Sequence, residues 1–369
     1  MQPSTRKLRG IFINPTKANC SIYESGRMMY DCLVQSDKYE LDYLEVDESK
    51  RNVPDNYDFY AFNYHHITMG WLDTRFVREL PGLKLTFVLE VSPNNPFVFC
   101  PAKDFDVYCA LDPTMNIPDK KVYAFPRPLE VPDKVIPYHK QPVPVIGSFG
   151  FAAPGKGFEH VVDAVNKEFD EAIIRINMPF VTYADDSFWY VHKQNYAEYL
   201  TELCKKTAKK GVQVKVTRDF MSKAELIEWC SQNTLNCFLY NRNSPGLSAT
   251  TDQAISSGRP LAVSENDTFR HITAYVKPYP KRSLKESIAM SQAEVFQIQR
   301  EWAQAKFALK FEQVLSDFNL FSTPEANRVE VTNIELKCKP PSKSFKTQFK
   351  NLCNKIKCCL SKLGVWHSM

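Results

Sequence analysis

Along most of the chain, apolar runs of strand length alternate with amphipathic stretches of helix length. GIFINP at residues 10–15 reads as a buried strand, and the segment from Ile22 to Leu33 as the helix after it. YELDYLEV (39–46), DFYAFNYHH (58–66), LKLTFVLEV (83–91) and FDVYCALD (105–112) repeat the strand pattern. Six prolines (126, 128, 132, 137, 142, 144) then interrupt it. Proline cannot donate to a ladder and restricts the residue before it, so this stretch predicts a linker rather than the inside of an element.

The pattern restarts after the prolines. VPVIGSFGF (143–151), AIIRINMPF (172–180), VQVKVTRDF (212–220) and NCFLYN (236–241) read as strands. FEHVVDAVNKEF (158–169) places apolar residues at 158, 161, 162 and 165, which is one face of a helix, and AELIEWCSQ (224–232) is a second amphipathic helix. TTDQAISSGRPLAVS (250–264) reads as helix, break and strand, and residues 291–318 as one long closing helix. Strands separated by helices argue for mostly parallel sheets covered on both faces. The expected architecture is two Rossmann-like α/β domains, 1–140 and 141–320, facing a central cleft, with a polar connector and tail over 321–369.

Ligands bind at the carboxyl ends of the strands in open α/β sheets, so the loops there carry the candidate chemistry. Gly150-Phe151-Ala152-Ala153-Pro154-Gly155-Lys156-Gly157 joins a strand to a helix. Small residues let a ligand approach the backbone, the helix start favours an anion, and Lys156 adds a point charge, so a diphosphate suits this loop. A glycine-rich turn with a solvated lysine is the plain alternative. The spacing is not that of a P-loop, which requires Ser or Thr at 157, and there is no GxGxxG. The second loop runs from Asn241 through Arg242, Ser244, Gly246, Leu247 and Ser248 to Asp252, whose carboxylate can accept both hydrogen bonds of a ribose diol. An acid that merely favours a helix start would look the same.

The order of these two loops resembles the C-terminal domain of family-four retaining glycosyltransferases of the GT-B fold. GFAAPGKGFEHVVDAV, followed by LSATTDQAISSGRPLAVS, carries the resemblance over roughly residues 145–310, including the helix around Trp302. It implies transfer of a hexosyl group from a nucleoside diphosphate sugar with retention. The implied donor site comprises Gly155, Lys156, Arg242, Gly246, Leu247, Ser248 and Asp252, with Phe220 where the base packs. Asp252 stands where the family has a ribose-binding glutamate, Ser244 where it has a second glutamate, and Phe151 where it has an arginine. Arg242 or Arg270 is then the candidate replacement cation.

The third loop, Asn63-Tyr64-His65-His66, ends a strand of the first domain. In the resembling enzymes a histidine at this strand end faces the cleft near the donor sugar, which makes His66 a catalytic candidate. Glu90, at the next strand end, is the second, with a buried ion-pair partner as its alternative. Adjacent side chains on an extended segment point oppositely, which argues against metal binding by His65 and His66 together. Asp104-Phe105-Asp106 spells a metal-binding Asp-x-Asp, but it starts a strand without supporting acids and reads as structural, as does Asp185-Asp186. No metal and no cofactor is expected.

Composition changes this picture in one place. No apolar run approaches the ~20 residues of a membrane span, the N-terminus lacks a secretory pattern, and eleven cysteines include no CxxC pair. They read as small buried hydrophobes of a cytoplasmic protein. The formal charge is +5, yet eight lysines and no acid fall between Leu336 and Met369; taking those eight away leaves −3 for the rest. The body is therefore no nucleic-acid binder. In the tail, Phe345, Phe349, Leu352, Ile356, Leu360 and Leu363 share one helical face among the lysines. Such a helix either docks on the protein or lies on an anionic membrane, where a lipid-linked acceptor would be found; a glycan is the other acceptor class. Two further readings stay open: a nucleotide-sugar-binding protein without turnover, and a GT-B-fold sugar-nucleotide epimerase.

Overall fold

The computed structural model describes residues 7–321 except 17–20, 51, 67, 93–99, 101–103, 135, 180–187 and 242–245. The expected tail helix, Arg242, Ser244 and Asp185-Asp186 lie outside the described residues.

In the first domain, β1 (Leu8–Pro15), α1 (Ser21–Leu33), β2 (Tyr39–Val46), β3 (Phe59–Phe62), α2 (Thr74–Glu79), β4 (Leu83–Val88), β5 (Val107–Ala110) and β6 (Val122–Ala124) follow in turn. The six strands form one sheet in the order β2-β1-β3-β4-β5-β6, every pair parallel. All residues of β3 and β5 are buried, which is why these segments read as unbroken apolar runs rather than alternating ones. Side chains of alternate parity fill the two faces. Phe12, Phe59, Leu85, Phe87 and Cys109 point into one core, and Ile11, Ile13, Tyr60, Phe62, Val88 and Tyr108 into the other.

The second domain comprises β7 (Val145–Phe149), α3 (Phe158–Glu168), β8 (Ala172–Asn177), α4 (Phe188–Thr207), β9 (Val212–Thr217), α5 (Lys223–Ser231), β10 (Leu235–Phe238), α6 (Thr250–Ser256), β11 (Leu261–Val263), α7 (Arg270–Thr273) and α8 (Leu284–Glu301). Its five strands are also all parallel, in the order β11-β10-β7-β8-β9. The expected apolar face of α3 is buried at Phe158, Val161, Val162 and Val165. Ser222 and Glu225 close a capping box at the start of α5.

The closing helix differs from expectation. Residues 284–317 form two helices, α8 and α9 (Gln304–Asp317), broken at Trp302-Ala303. Trp302 is buried and its ring stacks on His271 at 5.7 Å, while its carbonyl accepts from the Leu129 amide. Past the break the chain crosses back. Phe307, Phe311, Val314 and Leu315 of α9 pack in the first domain's core with Phe12, Phe59 and Phe87. No Gly or Pro marks this bend; tertiary packing on both sides of it imposes the break.

Among the described residues, six cysteines are free and buried, and burial raises the thiols of Cys32, Cys100 and Cys204 to about 12. No described helix is long and apolar enough to cross a membrane.

Candidate active site in the interdomain cleft

Both sheets have a switch point, where successive strands are added on opposite sides of a central strand and the loops at their carboxyl ends part to leave a crevice. In the second domain it lies between β7 and β10. The loop after β7 turns on glycines at positive φ: Gly150 at 136°, Gly155 at 79° and Gly157 at 67°. A Cβ at Gly157 would lie 1.9 Å from the Leu239 carbonyl oxygen, so only glycine lets this loop seat against the end of β10. The Asn241 amide donates to the Gly155 carbonyl (3.1 Å), fastening the two loops together.

That seating folds Lys156 onto Tyr240. Lys156 Nζ donates to the Tyr240 hydroxyl at 2.9 Å, 4.5 Å from the ring centroid. The Tyr240 hydroxyl shares a 2.9 Å hydrogen bond with Thr250 Oγ1, which shares one of 2.7 Å with Ser248 Oγ. Burial pushes the Tyr240 hydroxyl pKa up, but the Lys156 charge and the bonds from Lys156, Thr250 and Ser248 outweigh it and hold it below its ordinary value. A lysine, a tyrosine and two hydroxyls thus converge beside the bare backbone of Gly150, at which a Cβ would lie 3.6 Å from Lys156 Nζ. The amino terminus of the eleven-residue α3 follows directly. Tyr240 was missed in sequence; its place at the carboxyl end of NCFLYN was the available signal.

On the opposite wall, β3 ends at Phe62, the Asn63 amide still donates to the Ile13 carbonyl of β1, and the Met69 amide then closes a turn onto the His65 carbonyl. This overturns the expectation that His65 and His66 diverge: their rings lie side by side, with centroids 4.5 Å apart and planes tilted by 31°. His65 Nε2 stands 3.7 Å from Glu90 Oε2, beyond the end of the neighbouring strand β4. Burial lowers the pKa of His66, the charge of His65 adds to that, and Glu90 acts in the opposite direction. Glu90 reaches across to the second domain, where a Cβ at Gly246 would lie 3.5 Å from Glu90 Cγ. Of the two catalytic candidates, Glu90 thus meets the loop that carries Gly246.

The walls are bolted behind this contact. Arg270 Nε donates to Asp112 Oδ2 (2.7 Å), Nη2 to the Val91 carbonyl (2.9 Å) and Nη1 to the Asp267 carbonyl (2.8 Å). Arg270 thereby ties the second domain to Asp112 and Val91 of the first. Thr268 Oγ1 donates to the Gly246 carbonyl (2.7 Å), and Leu247 and Ser248 beside it are buried.

Asp252 lies in a second bolt. Arg127, between Pro126 and Pro128 of the linker, donates from Nε to Asp252 Oδ2 at 2.6 Å, and Asp252 is only 5% exposed. Oδ1 is buried without a hydrogen-bond partner. Burial raises the Asp252 pKa, while Arg127 opposes that rise. Buried His271 lies in the same region, its Nε2 3.4 Å from Thr251 Oγ1. Phe220, 63% exposed, follows β9 at the far edge of the sheet. Asp104 and Asp106 engage Arg78 (3.2 Å) and Lys84 (3.0 Å) at the amino end of β5, the end opposite the cleft loops.

No family model and no curated protein matches the chain. Solved structures do. HepE from Anabaena, in complex with UDP and glucose, superposes with a TM-score of 0.55 at 10% identity, covering 84% of this chain and 100% of its own. The trehalose-6-phosphate synthase OtsA gives 0.57 at 11%, covering 86% and 100%. An α-glucosyltransferase in complex with UDP and a 13-mer DNA gives 0.54 at 9%, covering 84% and 99%. The fold is GT-B. Two Rossmann-like domains, each built on a parallel sheet, are that architecture.

Proposed function

We propose that this chain transfers a hexosyl group from a nucleoside diphosphate sugar to a hydroxyl of a glycan or lipid-linked acceptor, with retention and without a metal. The observation that carries the reading is the cradle at the second switch point: Lys156 held against Tyr240, with Thr250 and Ser248 beside it, over a loop seated by Gly157. Developing charge on a departing diphosphate is met there by the ammonium, two hydroxyls and the start of α3. The bond from the anomeric carbon to the diphosphate breaks as the acceptor oxygen attaches to the same face, and the acceptor proton passes to the departing phosphate oxygen. His66 and Glu90 hold the sugar from the opposite wall. Asp252, held through Oδ2 by Arg127, is the candidate for the ribose, and its buried Oδ1 would have to be uncovered for that contact. Arg242 would add a cation and Phe220 a face for the base.

UDP is the nucleotide to test first, since it accompanies two of the similar structures. Lys156→Ala is expected to weaken UDP binding by ~1.5–3 kcal/mol, the range for a charge-assisted hydrogen bond lost, with an unchanged melting temperature. Equal affinity of the two proteins by calorimetry would remove Lys156 from the site and take the proposed donor cradle with it.

A further inference from the structure

We propose that His65, His66 and Glu90 form a binding site for a divalent transition-metal ion of the zinc class, separate from the cradle that would take the diphosphate. Among the described residues this is the group of three His, Cys, Asp or Glu side chains whose ligand atoms all lie within 4.8 Å of one another. Zinc binds imidazole nitrogen at ~2.0–2.1 Å and carboxylate oxygen at ~2.0–2.2 Å, which puts neighbouring ligand atoms roughly 3.3 Å apart. The separation of 3.7 Å between His65 Nε2 and Glu90 Oε2 is already close to that. The remaining contraction falls to Glu90, whose side chain is 42% exposed, and to the half-buried His66.

The backbone explains why the three gather. β3 and β4 are adjacent parallel strands, so the residues just past their ends emerge side by side. The turn closed by the Met69 amide then swings two successive imidazoles to the same side instead of opposite ones. Two imidazoles with one carboxylate suit zinc, nickel, iron or cobalt, whereas magnesium and calcium seek oxygen ligands. His66 and Glu90 are also the residues proposed to hold the sugar, so ion and sugar would compete for them; the proposal concerns ion binding alone and stands whether or not the chain transfers sugars.

The test uses the full-length protein, stripped with EDTA, dialysed and kept reduced. Zinc is titrated by calorimetry and cobalt by absorption spectroscopy. One ion per chain is expected, unaffected by millimolar magnesium. The cobalt complex should show weak visible bands without the strong near-ultraviolet absorption of thiolate ligation, which excludes capture by cysteines. Glu90→Gln, at an exposed position, and His66→Gln should each lower zinc affinity more than about tenfold, since even outer-shell partners of a metal are worth ten- to a hundredfold. Thermal melts establish that both variants fold. Absence of saturable binding, a thiolate-type cobalt spectrum, or unchanged affinity in Glu90→Gln would each overturn the site. Loss of UDP binding in Lys156→Ala is a separate measurement and speaks only to the donor reading.

Discussion

The two walls of the cleft are both built at the carboxyl ends of parallel strands, yet they solve different physical problems. At the second-domain switch point the polar groups lock one another: Lys156, Tyr240, Thr250 and Ser248 form one chain of hydrogen bonds on a loop that admits only glycine at 157. Past the ends of β3 and β4 in the first domain, His65, His66 and Glu90 bring their ligand atoms within 4.8 Å of one another, with two of the three partly exposed. The first arrangement is preorganised to stabilise charge; the second can still close on whatever enters. Preorganisation of donors is what electrostatic stabilisation requires, and adjustable side chains are what a sugar or an ion entering from solvent requires.

The Arg270 bolt ties the two walls through buried groups, so breaking it should disturb this comparison most. Arg270→Met leaves Asp112 buried and uncompensated, and a loss of ~3–5 kcal/mol is expected. The double variant Arg270→Met, Asp112→Leu should recover much of it. Equal instability of single and double variants in urea unfolding would show that the pair is not the source.

The next effect concerns pH. His271 is buried behind both walls, and desolvation together with Arg127 and Arg270 holds its pKa well below the usual histidine value. Below about pH 6.5 the unfolded chain takes up a proton there that the folded chain refuses. The stability contributed by neutral His271 is therefore present above the unfolded pKa and is lost as pH falls, by up to ~1.4 kcal/mol per unit. His271→Phe keeps a ring against Trp302 and should flatten that slope. A slope that matches the parent between pH 7 and 5 would assign the titration to another group.

Tyr240→Phe sharpens the description of the donor wall. It leaves the ring beneath Lys156 but removes the hydroxyl linking Lys156 to Thr250, so UDP affinity should fall by ~0.5–1.5 kcal/mol, less than for Lys156→Ala. Affinity losses in the reverse order would mean that Tyr240, and not Lys156, contacts the nucleotide. The smallest effect should come from chelation. If the proposed cradle of Lys156 and the α3 terminus meets the diphosphate charge, EDTA should leave sugar transfer intact, or raise it where zinc held by Glu90 obstructs the sugar. Abolition by EDTA with rescue by manganese would make a metal part of the reaction.

Much of the fold is written locally. VYCA is apolar at every position, and VIGSF is interrupted only by the small residues Gly147 and Ser148, because a parallel strand between two helical layers has no wet face, and that is visible without coordinates. The Gly-Lys-Gly loop was equally legible, since a positive φ leaves few residue choices. Other features depend on residues far apart in the chain and have no local signature. The break at Trp302 exists because α8 belongs to one core and α9 to another. The rings of His65 and His66 meet because a turn closes onto the His65 carbonyl, where strand geometry would have parted them. Asp252 gains Arg127, and Arg270 gains Asp112, across 125 and 158 residues. The sequence by itself determined which segments become strands and helices, because backbone hydrogen bonding and side-chain periodicity act over a few residues. The tertiary structure alone decided which charges face the cleft and which are used to hold it together, because a buried carboxylate takes the cation that folding brings to it.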